Sequence, residues 1–231
     1  MSIKPYVSCI CPTYNRRKYL HILIYLFKKQ DYPKEYLELI ILDDSEVSNI
    51  DIINNYKDDY NIKYYYNNKK LNLGEKRNIL NSYATGEYIV CIDDDDYFPS
   101  NKISYTIEKM KESNSLFSAC EEIYIYSTFN KKIYLPTICN YPCNGTFTYH
   151  KNFLLNHKYK NIDNSNEEKY FLNNYKENYI KLDSKNVILH IAHDKNTIEK
   201  YFFLKKKYES LLSLNDFIKD DFLSDFYNSL S

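Results

Sequence analysis

Tyr88-Ile89-Val90-Cys91-Ile92-Asp93-Asp94-Asp95-Asp96 is an apolar, strand-forming run that ends in four consecutive carboxylates. Two carboxylates about 4 Å apart repel by roughly 4 kcal/mol at the effective dielectric near a protein surface, whereas a bound divalent cation turns the same charge density into attraction. A buried strand closed by such a cluster therefore points to a metal site. The competing reading is a solvated acidic loop, and the surrounding sequence has to decide between them.

Outward from this stretch, the first hundred residues alternate strand and helix signals. Residues 7–11 form an apolar run ended by Pro12, and residues 16–29 carry Tyr19, Leu20, Leu23, Ile24 and Phe27 at helical spacing. Residues 37–42 and 62–66 predict two more strands, 75–84 a helix closed by Gly86, and 88–92 the fourth strand. Strands separated by helices of this length predict βαβ units with right-handed crossovers and an α/β fold built on a mainly parallel sheet. In open sheets of this kind ligands bind outside the carboxyl ends of the strands. Those ends carry Pro12-Thr13-Tyr14-Asn15-Arg16, Asp43-Asp44-Ser45 and the aspartate tetrad, so three polar clusters are expected on one rim.

Beyond Pro99 the pattern is more mixed. Residues 102–111, 151–157 and 167–178 read as helices, 117–126, 132–135, 146–149 and 187–191 as strands, and 198–212 and 216–230 as amphipathic closing helices.

The composition sets bounds. A chain of 231 residues fits one α/β unit, and 31 basic residues against 31 acidic ones leave no global basic field to hold nucleic acid. The longest apolar stretch, 19–27, is interrupted by His21 and too short to span a bilayer, and the first five residues lack a signal-peptide core, so a cytoplasmic location without a transmembrane segment is expected. Cys9, Cys11, Cys91, Cys120, Cys139 and Cys143 contain no CxxC pair and read as reduced thiols. Of the 27 tyrosines, those at 64–66 and 124–126 read as half-buried sheet residues.

Four segments in order and spacing resemble glycosyltransferase family 2: Cys11-Pro12-Thr13-Tyr14-Asn15-Arg16, Leu42-Asp43-Asp44-Ser45, Asn72-Leu73-Gly74-Glu75-Lys76-Arg77-Asn78, and residues 85–99 with the tetrad. The resemblance covers the first hundred residues and then thins. It implies the Rossmann-like GT-A fold as one domain over 1–231, with a nucleotide-sugar-binding half at 1–100, an acceptor half at 101–197 and C-terminal helices at 198–231. It also implies a metal-dependent, inverting transfer from a nucleotide-sugar, here a UDP-sugar, to a hydroxyl of a glycan, protein or small molecule.

The same resemblance suggests roles. Pro12, Thr13, Tyr14, Asn15 and Arg16, with Asp44 or Asp43 and Arg77, would hold the nucleotide. Asp93 and Asp95 form the DxD pair, Asp95 as direct metal ligand and Asp93 on the ribose or a metal-bound water, with Asp94 beside them and Asp96 supporting. Oxygen ligands and a diphosphate suit Mn²⁺ or Mg²⁺. Asn166-Glu167-Glu168-Lys169-Tyr170-Phe171-Leu172 is similar to the family's Glu-Asp pair, and Glu168, a departure from aspartate, is the expected base; Glu167 stays open as the alternative. His193, in His190-Ile191-Ala192-His193-Asp194-Lys195-Asn196-Thr197, is the expected late metal ligand. Competing readings are a non-catalytic nucleotide- or carbohydrate-binding module on the same fold, and a sugar-phosphate nucleotidylyltransferase, which the lack of any glycine before Gly74 disfavours.

Overall fold

The computed structural model describes residues 4–56, 60–135, 141–161, 167–196 and 204–230. Cys139, Asn166, Thr197 and residues 198–203 of the expected closing helix lie outside them. The first half runs β1 (Val7–Thr13), α1 (Arg17–Lys28), β2 (Leu37–Asp43), α2 (Ile50–Asn54), β3 (Ile62–Tyr66), α3 (Leu73–Tyr83) and β4 (Tyr88–Cys91). It continues with α4 (Lys102–Ser113), β5 (Phe117–Ala119), β6 (Ile125–Ser127), β7 (Lys132–Tyr134), β8 (Thr148–His150), α5 (Glu167–Phe171), β9 (Ile180–Lys181), β10 (His190–Ala192) and α6 (Asp221–Ser229).

Seven strands form one sheet in the order β3-β2-β1-β4-β8-β5-β9. The first four are parallel, and β8 joins β4 and β5 antiparallel. A small second sheet has the order β10-β6-β7, and its Tyr126, Ile133 and Ile191 enter the same apolar cluster as α1. Pleating sends alternate residues to opposite faces, and both faces are buried. Cys9, Cys11, Leu39, Ile41 and Val90 enter one apolar cluster with α1, while Ile10, Ile40, Leu42, Ile89 and Cys91 enter the other with Leu80 of α3. That two-sided burial is why β1, β2 and β4 read as unbroken apolar runs. It stabilises by roughly 1.5–3 kcal/mol for each large side chain fully removed from water.

Several boundaries differ from expectation. β1 does not stop at Pro12: Pro12 and Thr13 continue the pairing with Leu42 and Asp43. Gly86 is not the cap of α3, whose C-cap is Ala84; a Cβ at Gly86 would lie 2.6 Å from Ser8 N, so close strand approach selects glycine there. The strand expected over 117–126 is split between two sheets, and residues 151–157 form only a 3₁₀ turn at Lys151–Leu155. The helix expected over 167–178 ends at Phe171, because Asn173, Asn174 and Tyr175 take left-handed φ values of 47°, 58° and 59°. Within 204–212 the expected closing helix is replaced by a 3₁₀ turn at Lys206–Tyr208, and the last helix begins at Asp221 rather than 216. Among the described residues, Cys9, Cys11, Cys91, Cys120 and Cys143 are free thiols, and no helix is long and apolar enough to cross a membrane.

Candidate active site

Strands β1, β2 and β4 end side by side, so residues 13–16, 43–45 and 93–96 do share one rim. Their side chains have distinct surroundings. Asp43 is fully buried and accepts from Ser45 N (2.9 Å), the Ser45 hydroxyl, Asn49 Nδ2 (2.8 Å) and Tyr64 OH (2.6 Å). Four donors occupy the acceptor sites of one carboxylate, so Asp43 shapes the loop and has nothing left for a nucleobase. Asp44 accepts from Lys76 Nζ (2.6 Å) and Leu71 N (2.7 Å), and Lys76 also reaches Thr13 O (3.3 Å). The Asp44–Lys76 pair thereby ties β1 and β2 to α3.

Pro12 is buried inside β1, and the Thr13 hydroxyl donates to Asp94. The partly exposed ring of Tyr14 carries Lys70 Nζ 4.3 Å from its centroid. Asn15 adopts φ 51° and does not cap α1; its N–H donates to the Ser45 hydroxyl (2.7 Å) while its side chain accepts from Glu46 N (3.2 Å). These contacts fasten the β1 loop to the β2 loop. They also turn Arg16 inward.

The aspartates of the tetrad differ in their surroundings, although Asp94 and Asp95 share Arg16. Asp93 is the most exposed, with Arg77 NH2 3.5 Å away. Asp94 is buried, and burial together with neighbouring Asp95 pushes its carboxyl up to about 7 against the opposing pull of Arg16. Asp95 contacts Arg16 NH1, His193 Nε2 (3.0 Å) and Asn196 Nδ2 (3.2 Å). Asp96 accepts from Ile191 N (2.8 Å) and meets His190 Nδ1 at 2.5 Å, and His190 Nε2 lies 3.2 Å from Cys143 Sγ.

Arg16 is the local counter-charge. Burial disfavours its charge, but Asp95 and Asp94 more than restore it, and NH2 donates to Lys195 O (2.8 Å). His193 has a fully buried side chain stacked on Tyr19 at 5.1 Å. Lys195 N donates to Nδ1 (3.0 Å), which leaves the ring proton on Nε2, facing Asp95. A cation on Nε2 requires the opposite tautomer, for which the Tyr19 hydroxyl, 3.2 Å from Nδ1, is the available acceptor.

The donor set fits a divalent cation. Burial, and then the adjacent Asp95 charge, hold the Asp94 carboxyl up at about 7, and Asp95 adjoins the late histidine. No group of three His, Cys, Asp or Glu side chains among the described residues is arranged to hold a metal ion. Asp95 and His193 would thus supply part of a shell, leaving positions for phosphate oxygens and water, the usual arrangement for Mg²⁺.

The acidic pair at the start of α5 is likewise unequal. Glu167 is buried, 3.5 Å from Arg77 Nε and 3.3 Å from Asn144 Nδ2. Glu168 is partly exposed, and burial and the Glu167 charge push its carboxyl up to about 7. Arg77 does not project onto the rim. It lies buried in the second turn of α3, between Asp93 and Glu167, with Nε and NH1 making no hydrogen bond among the described residues. This guanidinium links the tetrad to the acidic helix.

Sequence reading missed Lys76 and Asn196, although both stand inside quoted segments, next to Arg77 and three residues after His193. Asn144 carried no signal, since its role depends on β8 bringing residues 144–146 beside α5.

The sequence model for glycosyl transferase family 2 matches residues 8–176. A poly(ribitol-phosphate) β-N-acetylglucosaminyltransferase, TarS, of Staphylococcus aureus is 35% identical over 92 residues, covering 39% of this chain and 16% of the relative. A GalNAc(5)-diNAcBac-PP-undecaprenol β-1,3-glucosyltransferase of Campylobacter jejuni is 35% identical over 121 residues, covering 50% of this chain and 38% of the relative. Among solved structures, S. aureus TarS 1–349 in complex with UDP-GlcNAc superposes with a TM-score of 0.68 at 20% identity, covering 83% of this chain and 60% of that one. The mannosyltransferase PcManGT of Pyrobaculum calidifontis, in complex with GDP-Man and Mn²⁺, gives 0.67 at 14% identity, covering 84% and 59%. The matches to these curated relatives span less than half of their length. The shared architecture is the GT-A fold.

Proposed function

The chain belongs to glycosyl transferase family 2, and on that premise we propose that it transfers a sugar from a UDP-sugar to a hydroxyl acceptor by direct, inverting displacement. The observation that carries this reading is Glu168. A partly exposed carboxylate held up to about 7 by burial and by Glu167 is matched to proton abstraction near neutral pH. A module that only binds has no use for that shift, which favours the enzyme over the non-catalytic alternative.

In the proposed step the acceptor oxygen attacks the anomeric carbon, its proton passes to Glu168, and the bond to the diphosphate breaks with its electrons leaving on the nucleotide. Glu167 is paired with Arg77, and the proton is proposed to go to Glu168, whose carboxyl burial and the Glu167 charge hold up to about 7. Asp95 and His193 would hold Mn²⁺ or Mg²⁺, which when bound stabilises the negative charge on the leaving diphosphate. Arg16 and Lys76 add cationic side chains to the rim. Uridine is proposed because TarS is described in complex with UDP and with UDP-GlcNAc, and an Escherichia coli relative is named for UDP-Glc. Asp44 and Tyr14 are the rim residues proposed to meet the nucleotide.

A thermal-shift screen of UDP-, GDP- and dTDP-sugars, with and without Mn²⁺, tests this. The expected result is stabilisation by UDP-sugars that depends on Mn²⁺ and disappears in His193→Ala and Asp95→Asn. A preference for GDP-sugars would overturn the donor, and an unchanged Mn²⁺ response in both variants would overturn the metal ligands.

A further inference from the structure

The turn after α5 has a conformation unusual for its sequence. Asn173, Asn174 and Tyr175 all have positive φ, a region that asparagine tolerates but a bulky aromatic rarely enters. Backbone contacts hold the turn: Asn174 N donates to Lys169 O (2.6 Å) and Lys176 N to Leu172 O (3.1 Å). Backbone held in a disfavoured region concentrates at functional sites. Its effect here is to direct the Tyr175 ring against Tyr141, with centroids 4.1 Å apart and planes 23° apart.

Tyr175 lies in the turn that ends the helix carrying the proposed base. Burial first, and then the Glu168 and Glu167 charges, push the Tyr175 hydroxyl up to about 12. From the other side, Asn144, three residues after Tyr141, meets Glu167. Tyr141 is 57% exposed, whereas the tyrosines suggested by sequence for sheet positions have protein partners: Tyr64 bonds Asp43 and Tyr126 is buried against Asn228. An aromatic face rigidly backed by a second ring and left open at the turn that ends the helix of the proposed base fits a flat, uncharged ligand with one apolar face and a polar edge.

We propose that the Tyr141–Tyr175 pair is the acceptor subsite and that it takes a neutral pyranose ring, whose C–H face stacks on Tyr141 while its rim hydroxyl points to Glu168. The two carboxylates disfavour a phosphorylated acceptor at this position. The inference rests on the glycosyltransferase reading, and the experiment separates the two.

The chain has no tryptophan, so Tyr141→Trp installs a single indole reporter on the platform. Titration of that variant, loaded with UDP and Mn²⁺, with methyl β-D-glucopyranoside and methyl N-acetyl-β-D-glucosaminide is expected to give a saturable emission change. Ribitol 5-phosphate is expected to give none. In calorimetry with the better glycoside, Tyr141→Ala is expected to weaken binding about tenfold, roughly 1.4 kcal/mol, with the circular dichroism of the folded chain retained. No response to either glycoside, an equal response to ribitol 5-phosphate, or unweakened binding by Tyr141→Ala overturns the subsite. UDP release from UDP-GlcNAc by the unmodified chain is measured separately; its absence alongside glycoside binding refutes the transferase reading and leaves the saccharide platform standing.

Discussion

Replacing Glu168 by Gln has two effects of opposite sign. The carboxyl sits near 7 instead of its ordinary 4.5, a displacement of about 3 kcal/mol at 1.36 kcal/mol per unit. A raised acid binds its proton more tightly when folded than when unfolded. Its contribution to stability is therefore complete below the unfolded value and is lost as the pH rises through the folded one. Partial exposure screens part of this, so the charged carboxylate is expected to destabilise the ligand-free chain by roughly 1–3 kcal/mol at pH 8. Glu168→Gln should recover that stability in urea denaturation at pH 8, with little change at pH 4. The rate of UDP release from UDP-GlcNAc should meanwhile fall by about 10²–10⁴, the usual worth of a positioned base. In the unmodified chain kcat/KM should rise with pH through about 7, since about a tenth of the base is charged at pH 6 and about nine tenths at pH 8. A Glu168→Gln variant that releases UDP within about threefold of the parent rate, or keeps the same acidic limb, refutes Glu168 as the base.

Two further outcomes follow from packing. Asp43→Ala leaves Asn49 Nδ2, Tyr64 OH and Ser45 N without their buried acceptor, so a loss on the order of 3 kcal/mol is expected in chemical denaturation; a loss under about 0.5 kcal/mol would show that the loop is held otherwise. Gly145→Ala would set a Cβ 2.7 Å from Asp93 Oδ2 and 3.0 Å from Ile188 Cδ1. Displacement of that carboxylate should weaken UDP binding in calorimetry by about tenfold, or roughly 1.4 kcal/mol, and undiminished affinity would remove Asp93 from the nucleotide site.

The first hundred residues were largely legible because their strands are buried on both faces. Apolar runs such as Leu39-Ile40-Ile41 then name strands directly, and the polar residues that follow mark the rim. The residues after 100 were less so, for local reasons. Asn173 and Asn174 resemble helix continuation at the level of spacing but supply the left-handed turn that ends α5. The single apolar pattern over 117–126 hides a change of sheet that depends on β8 and β10 arriving from far along the chain. Within the site, carboxylate density was visible, but the division of labour was not. Asp43 and Asp44 are adjacent in sequence, yet one is saturated by neutral donors and the other is paired with Lys76. Arg77 looked like a rim residue and is instead a buried bridge between Asp93 and Glu167.

On the proposed reading, the guanidinium of Arg16, lying on Asp94 and Asp95, would make the loading of this rim with a divalent cation an ion exchange rather than a filling. The chain itself supplies a counter-charge to these two carboxylates. An incoming divalent ion would displace a residue that remains tethered nearby, and the released arginine would become a mobile positive charge at the moment a diphosphate needs one. Occupancy is then expected to track the arrival of the nucleotide more closely than the ambient concentration of the ion.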